Sequence, residues 1–209
     1  MKTIHGAPSY ALSNDLISLR ITREGGQLAP VHFTLGDRVV SPYALAPWKP
    51  DEIDADLPGL LKCLRGDFLC LPFGPQQDGP PHGETANGAW ELVSESTGSL
   101  TLAMAATDIS ARVEKTITLR PGETALYVSH KIEGLSGDWS YGTHPILDLS
   151  GIPEGSARVS VSPFRWASVY PEWFSNPADG ANQALRIAAV FSDLSKVPLN
   201  EGGTTDLTR

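Results

Sequence analysis

The sequence predicts an all-β protein built from antiparallel strands, and three observations carry that expectation. Apolar residues alternate with polar ones in recurring short runs, as in Asn14–Arg23, where Ile17, Leu19 and Ile21 share one face and Ser18, Arg20 and Thr22 the other. Glycine (20 residues) and proline (17 residues) are abundant and fall between those runs, so the chain turns often. Apolar stripes at helical spacing are scarce, which leaves 171–183 as a loop or one short helix.

The elements follow in order. Gly25 and Gly26 turn the first strand into a second, Gln27–Leu35, interrupted by Pro30, and Gly36-Asp37 turns that into Arg38–Tyr43. Residues 44–59 carry Pro47, Pro50, Pro58, Trp48 and the acidic Asp51, Glu52, Asp54 and Asp56, and read as a long surface loop. Trp90–Glu95 and Leu100–Met104 flank Ser96-Thr97-Gly98 as a hairpin, with Trp90 and Leu92 on one face of the first strand. Ala111–Leu119 and Thr124–Ile132 flank Pro121-Gly122-Glu123, a reverse-turn signal. In the last of these strands Leu126, Val128, His130 and Ile132 share a face, so His130 reads either as a satisfied core histidine or as a cleft residue. Beyond Pro153 the pattern weakens, with strands expected at 157–161 and 186–191. The final NEGGTTDLTR is polar, glycine-rich and without a closing element. No linker signal divides the chain, so a single domain over 1–209 is expected, incomplete at its C-terminal edge.

Charge and patterning exclude several function classes. The net charge of -8, with no basic run, opposes binding to nucleic acid or to an anionic membrane. No apolar span of membrane-crossing length occurs and MKTIHGAPSY lacks a signal-peptide core, so a soluble, cytoplasmic protein is expected. Cys63 and Cys70 lie on opposite faces if the strand between them is continuous, and are read as buried, reduced thiols.

The chemistry concentrates in Cys63–Leu92 and in Asp138–Leu149. The first stretch carries Arg65 in an apolar run, then a Pro80-Pro81 loop that delivers His82 and Gly83, then Glu84, Asn87 and Trp90. In the second, Pro145 holds His144 extended. Arg65, His82 and His144 are the residues expected to converge on one cleft, with Trp90 and His130 behind them. Two imidazoles and a guanidinium suit hydrogen bonding to a polyhydroxylated ligand, and an imidazole can move protons near neutral pH. Asp67 and Asp148 are the candidate acids to orient such a histidine. His82-Gly83-Glu84 offers part of a cupin-like metal set, but the second histidine two residues on is missing, so no metal and no other cofactor is expected.

LRGDFLCLPFG, a PPHG loop, a tryptophan seven residues after its glycine and a later GTHP together resemble the aldose 1-epimerase, or galactose mutarotase-like, family. The resemblance implies a large antiparallel β-sandwich and interconversion of the α and β anomers of an aldose or sugar phosphate. It implies that Arg65 and His82 bind the sugar hydroxyls and the ring-oxygen region, and that His144 is the general acid at the ring oxygen. It also implies a general-base glutamate in a C-terminal part with no counterpart here, since Glu154, Glu172 and Glu201 stand in no comparable motif. The alternative expectation is therefore a non-catalytic carbohydrate-binding domain. A sheet left incomplete would expose edges and favour self-association.

Overall fold

The computed structural model describes residues 1–173, 178, 180 and 182–208 and divides into two compact units, Met1–Asp148 and Leu149–Arg209. Unit one opens with a five-stranded antiparallel meander: β1 (Lys2–Ile4), β2 (Ala7–Ser13), β3 (Ile17–Thr22), β4 (Leu28–Leu35) and β5 (Arg38–Val40), paired in chain order. Two single-turn helices, α1 (Gly59–Cys63) and α2 (Gly83–Asn87), bracket the short strand β6 (Leu69–Cys70). A second meander follows: β7 (Glu91–Ser96), β8 (Ser99–Ala106), β9 (Ala111–Leu119) and β10 (Leu126–Glu133). β11 (Gly142–Thr143) then returns to pair antiparallel with β6.

Both meanders obey the two-residue period of a half-buried strand, and their inner faces meet in one core. Ile17, Leu19, Ile21, Leu28 and Val31 from the first sheet share that core with Leu100, Leu102, Val113 and Ile117 from the second. The result is an antiparallel β-sandwich, as the sequence predicts. Cross-strand pairs fix the register: Leu12 opposes Leu19, Leu19 opposes Val31, and Leu100 opposes Ile117. Slipping either sheet by one residue would turn these side chains to solvent.

Several expectations need correction. β1 and β2 are not anticipated, because β2 turns Ala7 and Ser9 inward and small side chains make a weak alternation signal. Leu92 is exposed while Trp90 is buried, because Trp90 lies just before β7, whereas Leu92 lies within it, an edge strand exposed along its whole length. The run from Cys63 is no continuous strand: Cys63 ends α1 and Cys70 lies in β6, both buried and free.

Unit two is held by short pairings. β12 (Ala167–Ser168) joins β13 (Val190–Phe191), and β14 (Val197–Pro198) joins β15 (Thr204–Thr205). A 3-10 turn at Leu194–Lys196 is capped by Asp193, whose side chain accepts from the Ser195 N–H. No strand forms at 157–161, and only Val190–Phe191 of the expected 186–191 run is paired. Of the helix candidate at 171–183, Phe174, Ser175, Asn176, Pro177, Asp179 and Ala181 lie outside the described residues. Among the described residues no helix is long and apolar enough to cross a membrane.

Ile117 is fully buried at the centre of the shared core. Ile117→Ala should lower unfolding stability by about 2–5 kcal/mol, through lost burial and the cavity left behind. Urea denaturation should show this as a lower midpoint at unchanged slope.

Candidate functional site

His82 is placed by backbone geometry before any side chain acts. It stands at the N-terminal end of α2 in the left-handed region, with φ 64°, a conformation that costs a non-glycine residue of order 1 kcal/mol. Main-chain bonds hold it there: its N–H donates to Gly74 O (2.8 Å), and its carbonyl accepts from the Leu71 N–H (3.3 Å). Gly83 follows with φ +71°, and a Cβ on it would lie 2.1 Å from Leu71 O and 2.8 Å from Pro72 Cδ. Only glycine lets the loop close onto β6 in this way.

His144 arrives on the strand that pairs with β6. Its N–H donates to Phe68 O (3.0 Å), and its ring stacks on Phe68 with centroids 5.0 Å apart and planes 8° from parallel. The His82 ring meets the His144 ring edge-on, with centroids 5.3 Å apart. Phe73 completes the group, 5.1 Å from His82 and 6.1 Å from His144. Phe68 is buried beneath the pair, whereas Phe73 is exposed. Both histidines are half-buried, so two imidazoles and an aromatic surface reach solvent together.

Hydrogen bonding distinguishes the two rings. His82 Nδ1 accepts from the Gly74 N–H (3.2 Å), which places the proton of the neutral ring on Nε2. Burial, and then the neighbouring His144, hold the His82 pKa below its usual range. His144 Nδ1 is buried and has no hydrogen-bond partner among the described residues.

Other residues read from the sequence stand elsewhere. Arg65 is 1% exposed, and its guanidinium donates to Cys63 O, Ile4 O and His5 O. It clamps the β1–β2 turn. Trp90 is fully buried, with Nε1 donating to Thr85 O (3.0 Å), so it supports α2 from the core and cannot touch a ligand. Asn87 staples α2, donating to Pro81 O and Gly83 O and accepting from the Leu60 N–H. Glu84 accepts from the Thr107 N–H and hydroxyl.

His130 belongs to a second cluster that sequence reading missed. Lys115, on an inward position of β9, is buried, yet its Nζ donates to Gly26 O (2.7 Å) and lies 4.9 Å from the Trp90 ring centroid. His130 stands directly across from it on β10. Together with Asp67 they line a cavity of about 10 Å³, room for one water. Asp67 Oδ1 and His130 Nε2 are buried there without a partner among the described residues. Burial brings Lys115 down to about 8, against the opposing pull of Asp67 and Cys70. Burial and Lys115 together push His130 down to about 4. Burial raises Asp67, while Lys115, the Phe68 and His144 N–H groups and the His144 ring favour its charged form. Among the described residues no group of three His, Cys, Asp or Glu side chains could hold a metal ion.

Comparison with known proteins adds one match of fold. No family model matches the chain, and no curated protein does. A crystal structure from Escherichia coli K12, described as a "putative aldose 1-epimerase", superposes with a TM-score of 0.51 at 18% identity, covering 96% of this chain and 67% of that one. The chain therefore has the fold of that protein, the fold implied by the sequence resemblance.

Gly83→Ala should destabilise the protein and scatter the His82 loop, because the new Cβ meets main chain that has nowhere to move. The NMR signals of both the His82 and His144 rings should shift, while those of the β8–β9 core stay in place.

His130 gives a pH dependence. Between 6.5 and about 4 the unfolded chain takes up a proton at this residue and the folded one does not. Stability is thus fully present above 6.5 and falls with decreasing pH, by roughly 1.4 kcal/mol per unit for one group. Denaturation measured across that window should show the slope, and His130→Gln should flatten it.

Proposed function

We propose that the protein binds an aldose or sugar phosphate at the His82–His144 pair and interconverts its anomers. The observation that carries this reading is the meeting of two half-buried imidazoles, 5.3 Å apart, beside the exposed Phe73. An aromatic surface suits the apolar face of a pyranose, and ring nitrogens suit its hydroxyls. The shared fold with a protein described as an aldose 1-epimerase supports the same class of chemistry.

The reaction needs two proton movements. A base removes the proton from the anomeric hydroxyl, an acid protonates the ring oxygen, and the C1–O5 bond breaks to leave an aldehyde and a C5 hydroxyl. Rotation about C1–C2 presents the other carbonyl face, and reclosure returns both protons. In this reading His144 is the acid at the ring oxygen, His82 donates a hydrogen bond from Nε2 to a sugar oxygen, and solvent water takes the proton from the anomeric hydroxyl. A second reading, carbohydrate binding without turnover, rests on the general-base glutamate that the resemblance implies, since Glu154, Glu172 and Glu201 stand in no comparable motif.

Polarimetry on freshly dissolved α-glucose or α-galactose separates them. Mutarotation above the buffer rate is expected, falling by about 10²-fold or more in His144→Ala, the usual contribution of one positioned proton-transfer group. A rate equal to buffer for the native chain, with binding of the same sugars by calorimetry, would establish the binding-only reading.

A further inference from the structure

We propose that Asp67 positions His144, accepting a hydrogen bond from its Nδ1–H through one bridging water, since the two atoms make no direct hydrogen bond in the structure, with Lys115 and His130 as the buried support that holds the Asp67 carboxylate. Three buried polar atoms lack partners among the described residues: Asp67 Oδ1, His130 Nε2 and His144 Nδ1, the first and last flanking the paired strands β6 and β11. An unmade hydrogen bond of this kind costs about 1–3 kcal/mol, more for a charged group, so such atoms are rarely left alone. The main chain already joins the two residues, since His144 N–H donates to Phe68 O, next to Asp67. The Asp67 carboxylate feels both the main-chain N–H and the ring of His144. Nδ1 is the ring nitrogen nearer the main chain, so it is the one that side of the residue offers to a carboxylate.

Burial raises the Asp67 pKa, and the groups behind it work against that burial in favour of a charged acceptor. The Lys115 ammonium acts on it from β9, and His130 on β10 shares with both a cavity of about 10 Å³, the size of one water. Cys70 and Tyr43 are the other titratable neighbours whose protonation Asp67 influences, and its charge holds both toward their neutral forms. A proton fixed on Nδ1 leaves Nε2 as the nitrogen that faces a ligand. The carboxylate also stabilises the imidazolium whose Nε2 proton would go to a ring oxygen. That last step rests on the function proposed above, whereas the Asp67–His144 contact does not.

The test reads the tautomer first and the activity second. In long-range 1H–15N spectra of the native protein, recorded where the rings are neutral, His144 should carry its proton on Nδ1 and His82 on Nε2. Asp67→Leu, which removes the acceptor, should turn the His144 signal into a mixture of tautomers. A native His144 protonated on Nε2 overturns the proposal, and that measurement decides even if Asp67→Leu fails to fold. An unchanged Nδ1–H state in a folded Asp67→Leu overturns it equally. In the mutarotation assay Asp67→Leu should lower kcat by roughly tenfold or more with KM little moved, the scale on which supporting partners act; an unchanged kcat overturns the positioning role. If the native chain does not mutarotate, the proposed reaction fails while the tautomer result stands.

Discussion

One buried ammonium sets the terms for much of unit one. Lys115 occupies an inward position on β9, where Val113 and Ile117 on either side are core residues. A cation removed from water must be met by polar atoms or it destabilises the fold by several kcal/mol. Here the Gly26 carbonyl accepts from it, the face of Trp90 lies beside it, and the Asp67 carboxylate balances its charge. Gly26 belongs to the turn between β3 and β4, Trp90 leads into β7, and Asp67 precedes β6. The demand of one charge thus ties together three connections that the sheets leave free.

Those connections build the site. The Leu28–Asp67 bridge anchors the segment that runs through Phe68 to β6, and β6 in turn receives β11 and His144. A Cβ on Gly66 would lie 1.9 Å from Leu28 O, so the chain enters this segment in a conformation reserved for glycine. On the other side of β6, Gly83 permits the equally close approach that brings in His82. The two histidines meet because both of their segments use the same two-residue strand as a template. Arg65 contributes at one remove, by holding the β1–β2 turn rather than by touching a ligand.

How much of this is legible in the sequence depends on what sets each feature. The long hairpins from β7 to β10 can be read, because alternation and turn residues act locally and agree with the packing. β2 could not be read, since its inward positions include Ala7 and Ser9, whose small side chains carry little signal. The His82 loop is visible through Pro80, Pro81 and Gly83, residues whose backbone constraints are intrinsic. The fate of Arg65 is not, because two of its three partners are main-chain oxygens some sixty positions away. Lys115 is the instructive omission: Ala111, Val113, Ile117 and Leu119 alternate in step with it, so the period alone turns Lys115 inward. An inward lysine demands a counter-charge, and that demand leads to Asp67.

The two imidazoles are near neighbours with different hydrogen-bond environments, and the difference divides their chemistry. His82 Nδ1 is engaged by the Gly74 N–H, a donor that protonation of that nitrogen would lose. Burial and the adjacent His144 disfavour its charged form as well. His82 is therefore built to remain neutral and to donate from Nε2. Among the described residues His144 Nδ1 has no such donor against it, and the ring favours the charged form of the buried Asp67 carboxylate. The two rings thus differ in one respect: an amide engages Nδ1 of His82, and among the described residues nothing engages Nδ1 of His144.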